Sequence, residues 1–313
     1  MDISQTAPAT SDTLEQPAHF QARRLPVPFI SMMIGPAVLI IAFVVVFPLL
    51  YSLYLSFTSY TLLKPVPNWV GLRNYVRLLD DDVFWLAFGN TLLFLFVTVN
   101  LEFLFGLLLS QLLARTVGGQ SLLRTLLMIP MMFAPVLVGF QFRWFFNDQV
   151  GLVNNVLKAV GLISEGIPWL VGRNTAMFAI GVADIWMNTP VMTIILLAGT
   201  LSLPRELYEA AEVDGASGWQ KFIHITFPLL APFTTIAMTI RSLDVARGFD
   251  IVSIMTGGGP AHRTELLWTY VQRTAILDAN FARGSAMSYI TIGVTLAFTL
   301  YLFRQLLKAR LVE

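Results

Sequence analysis

The stretch EAAEVDGASGWQKFIHITFP, residues 209–228, is polar, although it lies between two of the most apolar segments of the chain. It carries three carboxylates, one lysine and one histidine. Just upstream, Pro204 suits the first turn of a helix, where a missing N–H leaves no partner unsatisfied. Gly215 can adopt the left-handed conformation that ends a helix. The pattern therefore predicts a short helix over residues 204–214, roughly 15 Å long.

The predicted helix has two different faces. Carboxylates recur every third residue as an acidic stripe, formed by Glu206, Glu209 and Glu212. The other face carries apolar or small side chains, namely Leu203, Leu207, Ala210 and Ala211. Small side chains let another surface approach closely, so the helix is suited to docking, and an ordinary polar loop is the alternative. Ser217 can cap a second helix, in which Trp219 and Phe222 suit the membrane interface.

The composition of the whole chain indicates a membrane protein. Of the 313 residues, 56% are hydrophobic and only 12% are charged, whereas soluble domains contain about 25% charged residues. A helix needs about 20 apolar residues to cross the hydrocarbon core of a bilayer. Six segments are long enough: 29–57, 84–113, 121–146, 174–199, 229–256 and 285–307. The sequence therefore predicts an all-α membrane protein.

These six segments define the predicted domain organisation. Residues 29–313 form one domain of six transmembrane helices, and the loop 200–228 joins its fourth and fifth helices. Residues 1–28 are polar and predict a mostly disordered N-terminal tail. Lys and Arg are divided equally between the two sides of the predicted bundle, so the positive-inside rule does not decide its orientation.

Charge and cysteine content exclude several classes of partner. The formal net charge of +1 leaves no excess of basic residues to neutralise the phosphates of a nucleic acid. The chain has no cysteine, and its three histidines are dispersed. It therefore offers neither a disulfide nor a recognisable metal-ligand spacing.

The spacing within the polar stretch resembles a family motif. Glu209, Ala210 and Ala211 are followed by three residues and Gly215, then by nine residues, an isoleucine, one residue, a phenylalanine and Pro228. This spacing closely resembles the EAA loop of binding-protein-dependent ABC transporter permeases, in which leucine precedes the proline. The phenylalanine is a conservative apolar departure from that pattern.

Other segments resemble the carbohydrate-uptake branch of the same family. They are VGLRNYVRLL at 70–79, FGNTLLFLFVTV at 88–99, LLRTLLMIPMMFAPVLVG at 122–139, FNDQVGLVN at 146–154 and RGFDIVSIMTGGGP at 247–260. The TGGGP ending is similar to that of the maltose-type first subunit of a permease heterodimer. The resemblance covers nearly everything from residue 29 onward.

The resemblance implies that the short helix is a coupling helix seated in a groove of a separate ATPase. The implied ATPase-coupling residues are Glu206, Leu207, Glu209, Ala210, Ala211, Asp214 and Gly215. It also implies a second permease subunit in a heterodimer, a homodimeric ATP-binding subunit, an extracytoplasmic substrate-binding protein and a sugar or polyol substrate. The location implied is the bacterial cytoplasmic (inner) membrane, among lipid, with the loop and both termini in the cytoplasm.

No cofactor and no catalytic activity are expected on this chain. No stretch matches GxxxxGK[ST], and the glycine clusters lack the lysine that would reach a phosphate. ATP and Mg are therefore expected on the partner ATPase.

Charged residues inside the predicted fourth and fifth helices indicate where a substrate would pass. Ionisable groups at membrane depth are costly unless they face a cavity or a partner. Asp184 and Asn188 share one face of the fourth helix, which Pro190 is expected to loosen. In the fifth helix, Arg241 and Asp244 share a face. The alternative is that these charges only hold helices together.

The resemblance adds positions to this pathway. Counted without gaps from the EAA motif, the positions that line the sugar site in maltose-type permeases are Asp184, Met187, Asn188, Val191, Arg241, Asp244, Val245 and Gly248. Arg247 and Asp250 share a different face of the fifth helix, and structural pairing is the preferred interpretation for them. Glu102 stands alone in the second helix, where a helix–helix hydrogen bond is favoured over substrate contact.

Two other classes of protein remain as alternatives. A secondary transporter would use the intramembrane Asp and Arg residues as an ion relay, but it predicts inverted repeats that do not align here. An intramembrane enzyme would need a nucleophile with its base, or a metal cluster, and neither pattern is present.

Overall fold

A computed structural model describes the backbone of residues 27–115 and 119–310, and the side chains of these residues except 27–31, 302–303 and 305–310. The predicted N-terminal tail, residues 1–28, lies outside the described residues apart from the first two positions of the first helix. Helices dominate the described part of the chain, which contains two isolated β-bridges but no β-strand. The predicted all-α class is confirmed.

The helices differ widely in length. The first half of the chain contains α1 (Val27–Ile41), α2 (Phe47–Ser56), α3 (Arg73–Leu79), α4 (Asp82–Arg115), α5 (Gln120–Met128), α6 (Pro135–Phe145) and α7 (Leu152–Ala159). The second half contains α8 (Arg173–Ser202), α9 (Arg205–Val213), α10 (Gly218–Lys221), α11 (Phe227–Leu229), α12 (Ala231–Ala246), α13 (Asp250–Met255), α14 (Leu267–Gln272) and α15 (Phe281–Arg310). Short π or 3-10 turns join several of them, at Ala42–Val46, Pro130–Met132, Phe222–Thr226 and Arg273–Leu277.

Four helices in the described residues are long and apolar enough to cross a membrane without a break. They are Met32–Ser56, Asp82–Arg115, Arg173–Ser202 and Phe281–Tyr301. A fifth span is obtained if Gly218–Leu229 and Ala231–Ala246, which meet at 62°, are taken together. The predicted membrane-helix architecture is confirmed, but the described helices do not give six continuous spans.

The two predicted spans that are not continuous are broken for different reasons. Within 121–146, Pro130 opens a 3-10 turn and Pro135 starts α6, so neither helix of this segment reaches the length of a span. Within 229–256, α12 ends at Ala246 and α13 begins at Asp250. The three residues between them leave the helical path, and this break bears on the site below.

Pro190, which the sequence predicts to loosen α8, does not end that helix. The helix continues without interruption from Arg173 to Ser202. Pro190 is buried, and the side chains of Met187 and Met192 beside it are also buried. The helix thus continues through the proline among buried neighbours.

The core lies where α4 and α8 run side by side. Gly106 on α4 allows the close approach, because a Cβ atom built there would lie 2.8 Å from Cγ of Met192. Leu196 and Ile180 on α8 are fully buried, as is Val138 on α6. Small residues at such contacts are typical of helix pairs in membranes, where packing replaces the hydrophobic effect as the driving force.

Candidate functional site

The short helix predicted after the fourth span is present as α9. Pro204 precedes it in an extended conformation, and the last helical residue is Val213. Gly215 has a φ of +77°, and the N–H of Ala216 donates to the carbonyl of Ala211 over 2.8 Å. A glycine in the left-handed region therefore ends the helix as its sequence predicts.

Two side-chain contacts hold α9 against the start of the next span. The hydroxyls of Tyr208 and Thr226 lie 2.8 Å apart. Nζ of Lys221 donates to Oε1 of Glu212 over 2.7 Å. Ser217 caps α10, and Gln220 completes a capping box. The lysine lowers the pKa of Glu212 by hydrogen bonding and charge, so this contact is present at neutral pH and is lost as the pH falls through that lowered pKa.

The predicted ATPase-coupling residues lie together on the surface of this loop. Six are exposed, namely Glu206, Leu207, Glu209, Ala210, Asp214 and Gly215, whereas Ala211 is half-buried. Tyr208 turns inward, so the acidic and small side chains are left on the outward surface. The helix thus presents an exposed face about two and a half turns long.

A second site is a cavity of about 250 Å³ at the break between α12 and α13. It is lined by Asp184, Met187 and Asn188 of α8, by Arg241 and Asp244 of α12, by the segment 247–252, and by Phe94 and Pro135. Because the chain leaves the helical path after Ala246, residues on both sides of the break face the same space. The cavity walls are rich in carboxylate and guanidinium groups.

Arg241 is the centre of this site and is almost completely buried. Its Nε and Nη2 donate to the two carboxylate oxygens of Glu102 over 2.8 and 2.9 Å. Nη2 also donates to Oδ2 of Asp184 over 3.3 Å, and Nη1 donates to Oδ2 of Asp244 over 3.4 Å. This bidentate pair of hydrogen bonds with Glu102 is the geometry that a planar guanidinium favours with a carboxylate.

The three carboxylates around Arg241 differ in exposure. Glu102 on α4 is fully buried, whereas the side chain of Asp184 is 16% exposed and that of Asp244 is 56% exposed. Nδ2 of Asn188 donates to Oδ1 of Asp184 over 3.2 Å. Arg241 thus lines the cavity with the buried Glu102 behind it, and the two more exposed carboxylates, Asp184 and Asp244, lie in the cavity wall.

The structure brings together six of the eight predicted pathway residues. Asp184, Met187, Asn188, Arg241, Asp244 and Gly248 line the cavity, whereas Val191 and Val245 do not. Val245 is buried in the core and Val191 is half-buried. Arg247 and Asp250, which the sequence places on another face of a continuous helix, line the same cavity because the helix is broken between Ala246 and Asp250.

Glu102 was expected to make a helix–helix hydrogen bond, and it makes two with Arg241. Its partner could not be chosen from the sequence, because 139 residues separate the two side chains. The available signal was a single carboxylate in an otherwise apolar helix. Trp186 packs on Phe142 at a centroid distance of 5.4 Å and does not line the cavity.

A loop after α13 encloses another buried carboxylate. Glu265 is fully buried and accepts hydrogen bonds from Nε of Arg273 and from the hydroxyl of Thr269. Gly258, with a φ of +78°, packs directly against this carboxyl group, so that a Cβ atom would overlap it. Nδ2 of Asn90 on α4 donates to the carbonyl of Glu265 over 3.0 Å. Packing against Glu265 therefore requires a glycine at position 258 of the TGGGP segment. Within the described residues, no group of three His, Asp or Glu side chains is arranged to hold a metal ion.

Residues 102–313 match the family described as binding-protein-dependent transport system inner membrane component. The chain is 34% identical over 269 residues to the sulfoquinovosyl glycerol transport system permease protein SmoG of Agrobacterium fabrum, a match that covers 86% of this chain and 87% of that protein. It is 35% identical over 272 residues to the trehalose/maltose transport system permease protein MalF of Thermococcus litoralis, covering 86% and 90% of the two chains.

Solved structures agree with this likeness at the level of the fold. A crystal structure of a bacterial ABC transporter involved in the import of the acidic polysaccharide alginate contains a chain that superposes with a TM-score of 0.78 at 22% identity. The match covers 90% of this chain and 95% of that one. The protein is therefore a member of the binding-protein-dependent transport system inner membrane component family, a membrane-embedded permease subunit of an ABC importer that does not itself hydrolyse ATP.

Proposed function

We propose that this permease forms half of the translocation pathway of an importer for a sugar or polyol. The proposal is supported by the presence of two sites on segments that follow one another in the chain. One is the exposed helix α9, and the other is the charged cavity at the C-terminal end of α12. The first suits contact with an ATPase, and the second suits a hydroxyl-rich ligand.

The coupling role of α9 rests on its shape and attachment. Its outward face carries Glu206, Glu209 and Ala210, which combine charge with a small side chain. Tyr208 binds it to Thr226, close to the start of the fifth span. A rigid helix held in this way transmits a displacement to the span as a rigid body. The proposed coupling residues are the seven predicted from the EAA motif.

The proposed substrate class rests on the chemistry of the cavity and on the relatives. Carboxylate, amide and guanidinium groups form charge-assisted hydrogen bonds with hydroxyl groups. Two relatives named above are permeases for trehalose/maltose and for sulfoquinovosyl glycerol. A sugar or polyol is therefore the class that agrees with both lines of support. The pathway residues proposed to contact it are the six that line the cavity.

The proposed assembly contains a second, different permease subunit, two copies of an ATP-binding subunit and an extracytoplasmic substrate-binding protein. In this arrangement α9 and both termini face the cytoplasm across a bacterial inner membrane. ATP and Mg bind to the ATPase, and no cofactor binds to this chain.

The proposal is tested by purifying the permease in mild detergent and identifying what accompanies it. We expect an ATPase and a second permease to copurify, and Glu209→Lys to release the ATPase, since the exposed carboxylate would become a cation. Val213→Lys, at the exposed end of the same helix, is the control for a lysine added to this surface.

A transport assay separates the importer from a secondary transporter. The complex is reconstituted in vesicles with its binding protein, and ligand uptake is measured with ATP and with a non-hydrolysable analogue. Uptake only with ATP supports the proposal. Uptake by the permease alone, driven by an ion gradient without ATP, contradicts it and assigns the charged cluster to an ion relay.

A further inference from the structure

We infer that the imported ligand carries no net negative charge and that Glu102 imposes this preference from behind the cavity wall. The inference rests on the proposed importer function and narrows its substrate class. It depends on how the guanidinium group of Arg241 is used. An arginine in a substrate cavity usually indicates an anionic ligand, because its fork binds carboxylates and phosphates.

All three nitrogens of the Arg241 guanidinium are already engaged by the protein. Nε and Nη2 are held by Glu102, Nη2 also reaches Asp184, and Nη1 faces Asp244. The shortest of these contacts, 2.8 and 2.9 Å, are with the fully buried carboxylate. To reach Nε or Nη2, a ligand carboxylate or sulfonate would have to displace Glu102 or Asp184 and leave a buried charge without a partner, which is strongly unfavourable.

The other charged side chains around the cavity do not make it attractive to an anion. Besides Arg241 the lining contains one other cation, Arg247. The carboxylates on or directly behind the lining are Glu102, Asp184, Asp244 and Asp250. Two guanidinium groups therefore face four carboxylates. This surplus of carboxylates over cations disfavours an anionic ligand.

The cavity offers acceptors on its carboxylates, and the exposed guanidinium group of Arg247 is a donor at its edge. The exposed carboxylate of Asp244 and the carboxylate of Asp250 accept hydrogen bonds and cannot donate while ionised. A ligand that uses these carboxylates must therefore donate hydrogen bonds to them. Hydroxyl groups of a neutral sugar or polyol do so, and an ammonium group on an amino sugar does so with charge complementarity.

Glu102 is a positioning residue in this arrangement. It does not line the cavity, and it acts through Arg241 by occupying two of its nitrogens and cancelling its charge. Removing the charge of Glu102 while keeping its shape would leave Arg241 available to a ligand. The charge preference of the importer would then shift toward anions.

The experiment uses the reconstituted complex with its binding protein and three matched ligands: a neutral sugar or polyol that stimulates ATP turnover, its amino derivative and its uronic acid. Uptake into vesicles and ATP turnover are measured with each ligand at saturation. For the wild-type complex we expect uptake of the uronate to be at least about tenfold below that of the neutral ligand, the scale of one unfavourable charge contact. Uptake of the uronate equal to or above that of the neutral ligand overturns the inference.

Two variants test the part assigned to Glu102. Glu102→Gln should raise the ratio of uronate to neutral uptake at least about fivefold, whereas Glu102→Asp, which keeps the charge, should leave the ratio near the wild-type value. Ser110→Ala, at a fully buried polar position on the same helix, is the control for a loss of packing alone. A merely structural Glu102 would lower uptake of all ligands together and leave the ratio unchanged, which contradicts the inference.

Failure of the inference and failure of the proposed function give different results. If sugars and polyols stimulate ATP turnover and uronates do so equally well, the importer stands and the charge preference is wrong. If no ligand of the panel stimulates turnover in a complex that contains an active ATPase, the sugar or polyol function is wrong and the inference falls with it.

Discussion

At the scale of single residues, the contact between Arg241 and Glu102 decides how the interior of the permease is held together. Both side chains are almost completely removed from solvent, and each satisfies the other in two hydrogen bonds. A buried pair of this kind contributes little compared with an apolar replacement of both partners, but removal of one partner leaves an uncompensated charge. The pair therefore makes each member indispensable to the other.

Arg241→Gln should consequently destabilise the permease by about 3–5 kcal/mol, because Glu102 would remain buried without a counter-charge. The measurement is thermal unfolding of the purified complex in detergent. Arg247→Gln is the matched control, since Arg247 lines the same cavity but is exposed. Its effect should stay within about 0.5 kcal/mol. Equal effects of the two substitutions would show that burial of Arg241 is unimportant.

Two adjacent glycines offer a second residue-scale comparison. Gly257 and Gly258 both have φ in the left-handed region, at +60° and +78°. Gly257 has open space around it, with its nearest neighbour at 3.8 Å, whereas Gly258 packs on the carboxyl group of Glu265. Both alanine variants bear a backbone strain of about 1 kcal/mol.

Gly258→Ala should therefore lower the stability of the permease by about 2 kcal/mol more than Gly257→Ala, because only the former displaces the buried Glu265. Thermal unfolding of the two variants side by side makes the comparison. If the two variants unfold at the same temperature, backbone strain alone explains the need for glycine. The carboxyl group of Glu265 can then move aside at no measurable cost.

At the scale of elements, α9 was foreseen almost completely and the cavity only in part. Pro204, Gly215 and the serine cap at Ser217 act locally, within one or two helical turns, and local chemistry is readable from sequence. The break at residues 247–249 depends on how α13 packs on α6 and α8. Periodicity treats residues 229–256 as one helix, and for that reason it separated Arg247 and Asp250 from the cavity that they line.

The hydrogen bond between Tyr208 on α9 and Thr226 near the fifth span gives a prediction at the scale of elements. Tyr208→Phe removes the hydroxyl that contacts Thr226 at 2.8 Å, and it leaves the outward face of α9 unchanged. We expect the ATPase to remain bound, while the number of ligands imported per ATP hydrolysed falls about two- to fivefold, since loss of one hydrogen bond weakens the attachment of α9 by about 1 kcal/mol.

The check is simultaneous measurement of uptake and phosphate release in vesicles. Thr226→Val removes the other partner of the same contact, so it should reproduce the effect, and the double variant should add little. Unchanged coupling in both single variants would remove Tyr208 from the transmission of movement.

The contact between α4 and α8 supplies another comparison between elements. Gly106→Ala would place a methyl group 2.8 Å from Cγ of Met192 and 3.1 Å from the backbone nitrogen of Thr193. The resulting separation of the helices should destabilise the permease by about 1–3 kcal/mol. Gly89→Ala, on the same helix with no atom within 4 Å, should be neutral or slightly stabilising.

Thermal unfolding in detergent again provides the measurement for this pair. A neutral effect of Gly106→Ala would mean that α8 can shift without loss, and that the close approach is not needed for the fold.

At the scale of the whole molecule, class and family were accessible from sequence, because both depend on features that extend along the chain. Hydrophobic content and segment length predict a helical membrane protein, and the spacing of the EAA motif places it among the permeases. The number of continuous spans was not accessible in the same way. Prolines 130 and 135 interrupt a segment whose hydropathy alone reads as one helix.

The exposed apolar surface of α4 is typical of a subunit that contacts lipid or other subunits. Long apolar side chains on α4 are exposed, among them Leu93, Phe96, Leu104 and Leu108. A water-facing protein would not leave such a surface open. The pathway lined by this chain is accordingly proposed as one half of a larger one.

The helices Gly218–Leu229 and Ala231–Ala246 meet at a bend of 62°. A rotation at this bend would therefore move the far end of the second helix sideways. Arg241 lies about 15 Å along the second helix, so a swing of about 10° at the bend would carry its guanidinium group sideways by about 2.6 Å. Hydrogen bonds of this type do not survive such a displacement unless their acceptors follow. A small rotation at the bend would thus be enough for Arg241 to exchange one set of carboxylate partners for another. The contacts with a bound molecule would then change while both helices keep their internal structure.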